Sequence, residues 1–107
     1  MKARTSLRPE RALEEVAQCL RVMAHPVRLR IADMCLKGEL PVHEIAARCG
    51  LPPHQACEHL RLMKGHGLLS SKRKGREVYY RVAAPHLPKL LRCVREECAR
   101  RAQAEQR

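Results

Sequence analysis

Aromatic side chains are almost missing from this sequence: it has no Phe, no Trp, and only Tyr79 and Tyr80. A core must then be built from Leu, Val, Ile, Ala and Met, the palette of a small helical domain. The same scarcity counts against modules that hold single-stranded nucleic acid by stacking bases on exposed rings. Long apolar runs are also absent. No stretch approaches the roughly 18 to 20 apolar residues of a membrane-spanning helix. The first residues, MKARTSLRPERALEE, lack the apolar centre of a secretory signal. No membrane partner is expected, and the expected location is the cytoplasm. There is no CxxC pair either: Cys19, Cys35, Cys49, Cys57, Cys93 and Cys98 are scattered. In a reducing compartment they read as free thiols, most of them small core fillers.

Negative charge is the last scarcity. The 22 Lys and Arg face 11 Asp and Glu, a net charge of +11. A field this positive favours a polyanionic partner, double-stranded DNA before any other. At 107 residues the chain makes one domain, near the size where dimerisation helps.

Periodicity supplies the organisation. Residues 1–8 form a basic arm, expected to be disordered, and residues 9–107 a single domain. Pro9 opens a first helix with Leu13, Val16, Ala17, Leu20 and Met23 at helical spacing. Pro26 opens a second, with Val27, Ile31, Met34 and Cys35 inward, closed by Gly38. A third helix runs from about Pro41 to Arg48 and stops at Gly50. Pro52-Pro53 then starts a fourth, which runs to about Gly65. Two short helices around a tight turn make a helix-turn-helix, with Ala46 and Ala56 small where the helices approach. LLSSKR and EVYYRV around Gly75 predict a β-hairpin, and a last amphipathic helix passes through Leu87, Leu90, Leu91, Val94 and Cys98. The fold expected is mainly α with a small β-hairpin, a winged helix-turn-helix in the order α-α-α-α-β-β-α.

The N-terminal half of the second helix of such a motif enters the major groove. Spacing puts Ala56, Leu60 and Met63 inward and His54, Gln55, Glu58 and Arg61 outward, with Cys57 and His59 on the flanks. Gln55 suits adenine, Arg61 a base or a phosphate, and the two histidines can donate to either. Glu58 suits a cytosine amino group or neutralises Arg61. Lys72, Arg73, Lys74 and Arg76 in the hairpin suit phosphate or the minor groove. A catalytic reading would pair Cys57 with His54 as its base. No orienting group or oxyanion loop accompanies them, so no enzyme and no small-molecule substrate are expected.

The pieces LRVMAHPVRLRI, GELPVHEIAARCGL and EHLRLMKGHGLLSSKRKGREVYYRV, together with the closing helix, resemble the ArsR/SmtB family of bacterial repressors. The resemblance covers about residues 13 to 100. It implies a homodimer paired through its first and last helices, bound to a palindromic operator and released by a metal ion, arsenite or an oxidant.

The family's sensor patterns are not matched. Where its third helix carries ELCVC, this chain has Glu39, Leu40, Pro41, Val42 and His43. The zinc pattern of the last helix falls on Ala84, His86, Glu97 and Arg100, and a cysteine pair late in the recognition helix falls on Leu62 and His66. A dithiol joining the second and last helices would need a cysteine at Asp33. Cys35 lies two residues further on, about 200° around the helix. The remaining candidates are Cys19, Cys93 and Cys98, as ligands for a soft metal or metalloid ion, as redox thiols, or as packing. The rival readings are a winged-helix regulator with no metal or redox effector, constitutive or protein-controlled, and a thiol metal-binding protein that does not bind DNA.

Overall fold

The computed structural model of the protein describes residues 8–106. Apart from Arg8, the expected basic arm lies outside them. In chain order the elements are α1 (Pro9–Met23), α2 (Pro26–Leu36), β1 (Leu40–Pro41), α3 (Val42–Cys49), α4 (Pro53–Gly65), β2 (Leu69–Lys74), β3 (Glu77–Val82) and α5 (Leu87–Glu105).

Prolines set the helix starts. α1, α2, α4 and α5 each carry Pro in the first two positions, where a missing N–H costs nothing and the fixed φ is already helical. α3 ends at Gly50, whose φ of 67° lies in the left-handed region that glycine enters freely. Gly75, at φ 63°, turns the chain between β2 and β3, which pair antiparallel from Leu69 opposite Val82 to Lys74 opposite Glu77.

The sheet has one more strand than the sequence suggests. Leu40 and Pro41 pair antiparallel with Tyr80 and Tyr79, so the strand order is β1-β3-β2. Pro41 is therefore not the first residue of α3. It ends an edge strand and caps the helix in extended conformation. Proline suits an edge because it needs no ladder donor.

The core gathers Met23 from α1, Ile31 and Cys35 from α2, Ile45 from α3 and Leu60 and Met63 from α4. Leu68 just before β2, Leu69 and Tyr80 from the hairpin and Leu87 and Leu91 from α5 complete it. Ala46 and Ala56 are both buried where α3 meets α4, as the small-residue pattern predicts. The terminal helices are less well covered. Leu13, Val16 and Leu20 on α1 are 70%, 53% and 48% exposed, and α5 buries only Leu87 and Leu91. The cysteines also depart from expectation. Only Cys35 is buried; Cys19, Cys49 and Cys57 are half-buried, and Cys93 and Cys98 are exposed.

Candidate nucleic-acid interface

α4 is held from below by Ala56, Leu60 and Met63, all fully buried, so its opposite face is fixed toward solvent. That face carries exposed His54, Gln55, Glu58 and Arg61. Cys57 lies on the flank, half-buried in a groove of about 550 Å³ between α4 and the sheet, which Arg61, Lys64, Ser71, Arg73 and Tyr80 also line. Among the described residues no hydrogen bond links Cys57 to a histidine, so the nucleophile–base contact of the catalytic reading is not formed there.

The two-residue period of the hairpin divides the wing cations. Arg73 stands opposite Val78, on the side that borders the α4 groove. Lys72 opposite Tyr79 and Lys74 opposite Glu77 lie on the other side. There Lys72 shares a hollow of about 860 Å³ with Arg81 and Tyr79. Arg76 is exposed in the turn. Lys74 is the exception among the four, because it is ion-paired with Glu39 and lies 4.8 Å from the centre of the Tyr79 ring. Its ammonium donates to Glu39 and holds that carboxyl below its ordinary range. Among the described residues no carboxylate pairs with Arg61, Lys64, Lys72, Arg73 or Arg76, so the groove and the wing present uncompensated positive charge.

His59 does not join this face. Its ring is half-buried against α2, where Nδ1 accepts a hydrogen bond of 3.1 Å from Arg28 Nε. The flanking residue expected as a DNA donor thus has its Nδ1 engaged inside the chain, on the side where α4 packs on the α1–α2 corner. Lys64 and Arg81 are additions. Lys64 follows Arg61 by three residues, a helical neighbour. Arg81 follows Tyr79 by two on the same strand face. Both spacings were available in the sequence.

The thiol candidates are dispersed. Cys19 Sγ, on α1, donates to the His66 carbonyl just beyond α4 at 3.8 Å. Cys98 lines an apolar groove of about 300 Å³ between α2 and α5, with Pro26, Leu29, Leu91 and Val94. Cys93, also on α5, does not line that groove. Among the described residues no three His, Cys, Asp or Glu side chains converge as a metal-holding group.

The family's sensor positions carry other chemistry. Asp33 does face α5, but Arg95 Nε meets its Oδ1 at 2.9 Å, so an ion pair joins the two helices there. Cys35 is buried, and desolvation, with Cys49 adding to it, pushes its thiol up to about 12. Glu97 is held by Arg100 and Arg101 on its own helix, which bring its carboxyl down to about 2. A carboxylate so engaged, with the other positions of the pattern held by Ala84 and Arg100, does not fit a zinc site.

The helix-turn-helix domain family matches residues 23–71. The transcriptional repressor SmtB of Mycobacterium tuberculosis is 34% identical over 79 residues, 74% of this chain; the chain spans only 58% of that relative's length. Among solved structures, a homodimeric winged helix-turn-helix DNA-binding domain from Mycobacterium bovis, described as a possible ArsR-family regulator, superposes with a TM-score of 0.77. It is 31% identical and the match covers 88% of this chain and 87% of that one. NolR from Sinorhizobium fredii gives 0.74 at 31% identity, over 90% of this chain and 95% of NolR. HlyU from Vibrio cholerae, at 24% identity and a TM-score of 0.77 over 81% and 95%, shares the fold.

Proposed function

The chain belongs to the ArsR/SmtB family of winged helix-turn-helix regulators, and on that premise we propose that it is a transcriptional repressor that binds duplex DNA as a homodimer. The observation that carries the reading is the unpaired positive charge of Arg61, Lys64, Arg73, Lys72 and Arg76 around an outward α4 face. His54, Gln55, Glu58 and Arg61 meet base edges in the major groove, and the wing cations meet phosphate or the adjoining minor groove. No enzymatic role is part of this reading. No helix among the described residues is long and apolar enough to cross a membrane.

The second copy covers α1. Leu13, Val16 and Leu20 form one exposed stripe, and three large apolar side chains on one helix face are best accounted for by a partner surface of the same kind. Pairing also places two α4 helices on one duplex, which matches a palindromic site.

A soft metal ion, arsenite or an oxidant acting through Cys19, Cys93 and Cys98 requires that second copy, because the three do not meet within one chain. The test is a mobility shift on the DNA upstream of the gene, at several salt concentrations. It is repeated with arsenite, Cd(II) and a persulfide on the wild type and on the variant with all three cysteines changed to serine. Salt-sensitive binding supports the repressor reading and its absence defeats it. A response that survives the three substitutions removes these thiols from the sensor.

A further inference from the structure

We propose that Arg28, His25 and His59 form a clamp that positions the recognition helix on the α1–α2 corner, and that the clamp opens when His59 takes a proton. The proposal rests on the reading of α4 as the DNA-reading helix. Arg28 reaches in two directions from α2. Its Nη1 donates to the Val22 carbonyl near the end of α1 at 3.2 Å, and its Nε donates to His59 Nδ1 on α4 at 3.1 Å. One guanidinium therefore ties the first helix to the fourth.

A ring nitrogen that accepts a hydrogen bond carries no proton, so His59 is neutral here, with its hydrogen on Nε2. His25 is fixed the same way: its Nδ1 accepts from the Val27 N–H at 3.1 Å and caps α2. The two rings meet edge to face, with centroids 5.0 Å apart and planes at 63°. Both imidazoles thus hold the tautomer that the local backbone and Arg28 demand.

Protonation at Nδ1 replaces the acceptor with a donor. The Arg28 N–H then faces an N–H, and a guanidinium faces an imidazolium at hydrogen-bond distance, with His25 beside them. The contact cannot persist, and α4 loses its tie to Arg28 while Ala56, Leu60 and Met63 still hold it on the core. Desolvation, then Arg28, then His25 lower the His59 pKa from its ordinary 6.5, and Glu58 on its own helix alone opposes them. Since the folded value is depressed, the clamp is complete above about 6.5 and is lost as pH falls through the lower folded value. The face that His54, Gln55 and Arg61 present to DNA rides on the same helix. Val22 belongs to the helix that carries the exposed stripe, so the clamp also joins that helix to the DNA face.

The test follows the histidine ring nitrogens of the full chain by NMR from about pH 7.5 down through the titration of His59, and hydrogen exchange of α4 amides relative to α3 amides over the same range. At the higher pH His59 is expected as the Nε2–H tautomer. Relative protection of α4 is expected to fall several-fold on acidification in the wild type. His59→Asn, whose side-chain oxygen still accepts from Arg28 and does not titrate, is expected to remove that change. Arg28→Ala is expected to give the low-pH pattern of α4 at the higher pH. An Nδ1–H tautomer, or one pH profile shared by the wild type and His59→Asn, overturns the clamp; the tautomer measurement needs no variant to fold.

A duplex selected from random sequence by the wild type supplies the functional arm. Acidification is expected to weaken its binding about tenfold more for the wild type than for His59→Asn. Equal weakening in the two overturns the link to DNA. If neither protein selects a duplex, the repressor reading fails, and the NMR and exchange results still decide the clamp.

Discussion

From α2 to β3 the chain buries its large apolar side chains within itself apart from Leu62 on α4, whereas α1 leaves Leu13, Val16 and Leu20 in solvent and α5 buries only its first turns. The two regions also use charge differently. Along α5 and between α5 and α2 three cations have carboxylate partners, Arg100 and Arg101 on Glu97 and Arg95 on Asp33, whereas Lys89 and Arg92 have none among the described residues. On α4 and the wing, most of the cations have no carboxylate partner among the described residues. A cation that must meet phosphate loses by being paired first, while a helix that must meet another helix gains from apolar surface held open. The central region therefore closes most of its apolar surface within one chain, and the terminal helices leave the open surface that the proposed dimer would cover.

That contrast can be broken at its centre first. Leu60→Ala removes a fully buried side chain beneath α4 and is expected to cost about 2 to 5 kcal/mol, read by urea denaturation. Next, changing Lys72, Arg73 and Arg76 together to Ala should leave the thermal midpoint nearly unchanged. It should make the negative slope of log K against log salt shallower by about five for a dimer, at roughly 0.9 for each phosphate no longer neutralised. A slope that does not change would mean the wing does not touch DNA. On the terminal side, Leu13→Glu with Leu20→Glu should raise the dimer dissociation constant at least about tenfold in sedimentation, with the winged core still folded. Loss of the core fold in this variant would show that α1 is needed within the chain rather than between chains.

Two smaller effects sharpen the same picture. Because the Cys35 thiol is raised to about 12 from 9.0, its neutral form contributes stability below pH 9 that is lost as pH rises toward 12. Alkylation followed by mass spectrometry at pH 8 should modify the exposed Cys93 and Cys98 well before the buried Cys35. Asp33→Asn breaks an ion pair whose side chains are 32% and 52% exposed, and denaturation should register at most about 1 kcal/mol.

The helix-turn-helix and hairpin were legible because their signals are local. Prolines mark helix starts, Gly50 and Gly75 mark turns, and apolar spacing marks the inner face of α4. β1 was not legible, since two residues ending in proline have no period; only pairing with Tyr79 and Tyr80 makes them a strand. The outward α4 residues were legible for the same reason as its core, but His59 was not. A flank residue at that spacing can face either way, and only α2, through Arg28, decides which. Lys74 likewise reads as a free wing cation until Glu39, 35 residues away, is folded beside it.

Composition and periodicity by themselves determined an aromatic-poor helical domain, a basic surface and the order of its five helices and hairpin, because each depends on residues close in sequence. Tertiary structure alone decided which cysteines are buried, that Asp33 meets Arg95, that α1 is left uncovered, and that His59 Nδ1 meets Arg28. Each of those depends on the orientation of one helix against another, a quantity that spacing along a single helix does not contain.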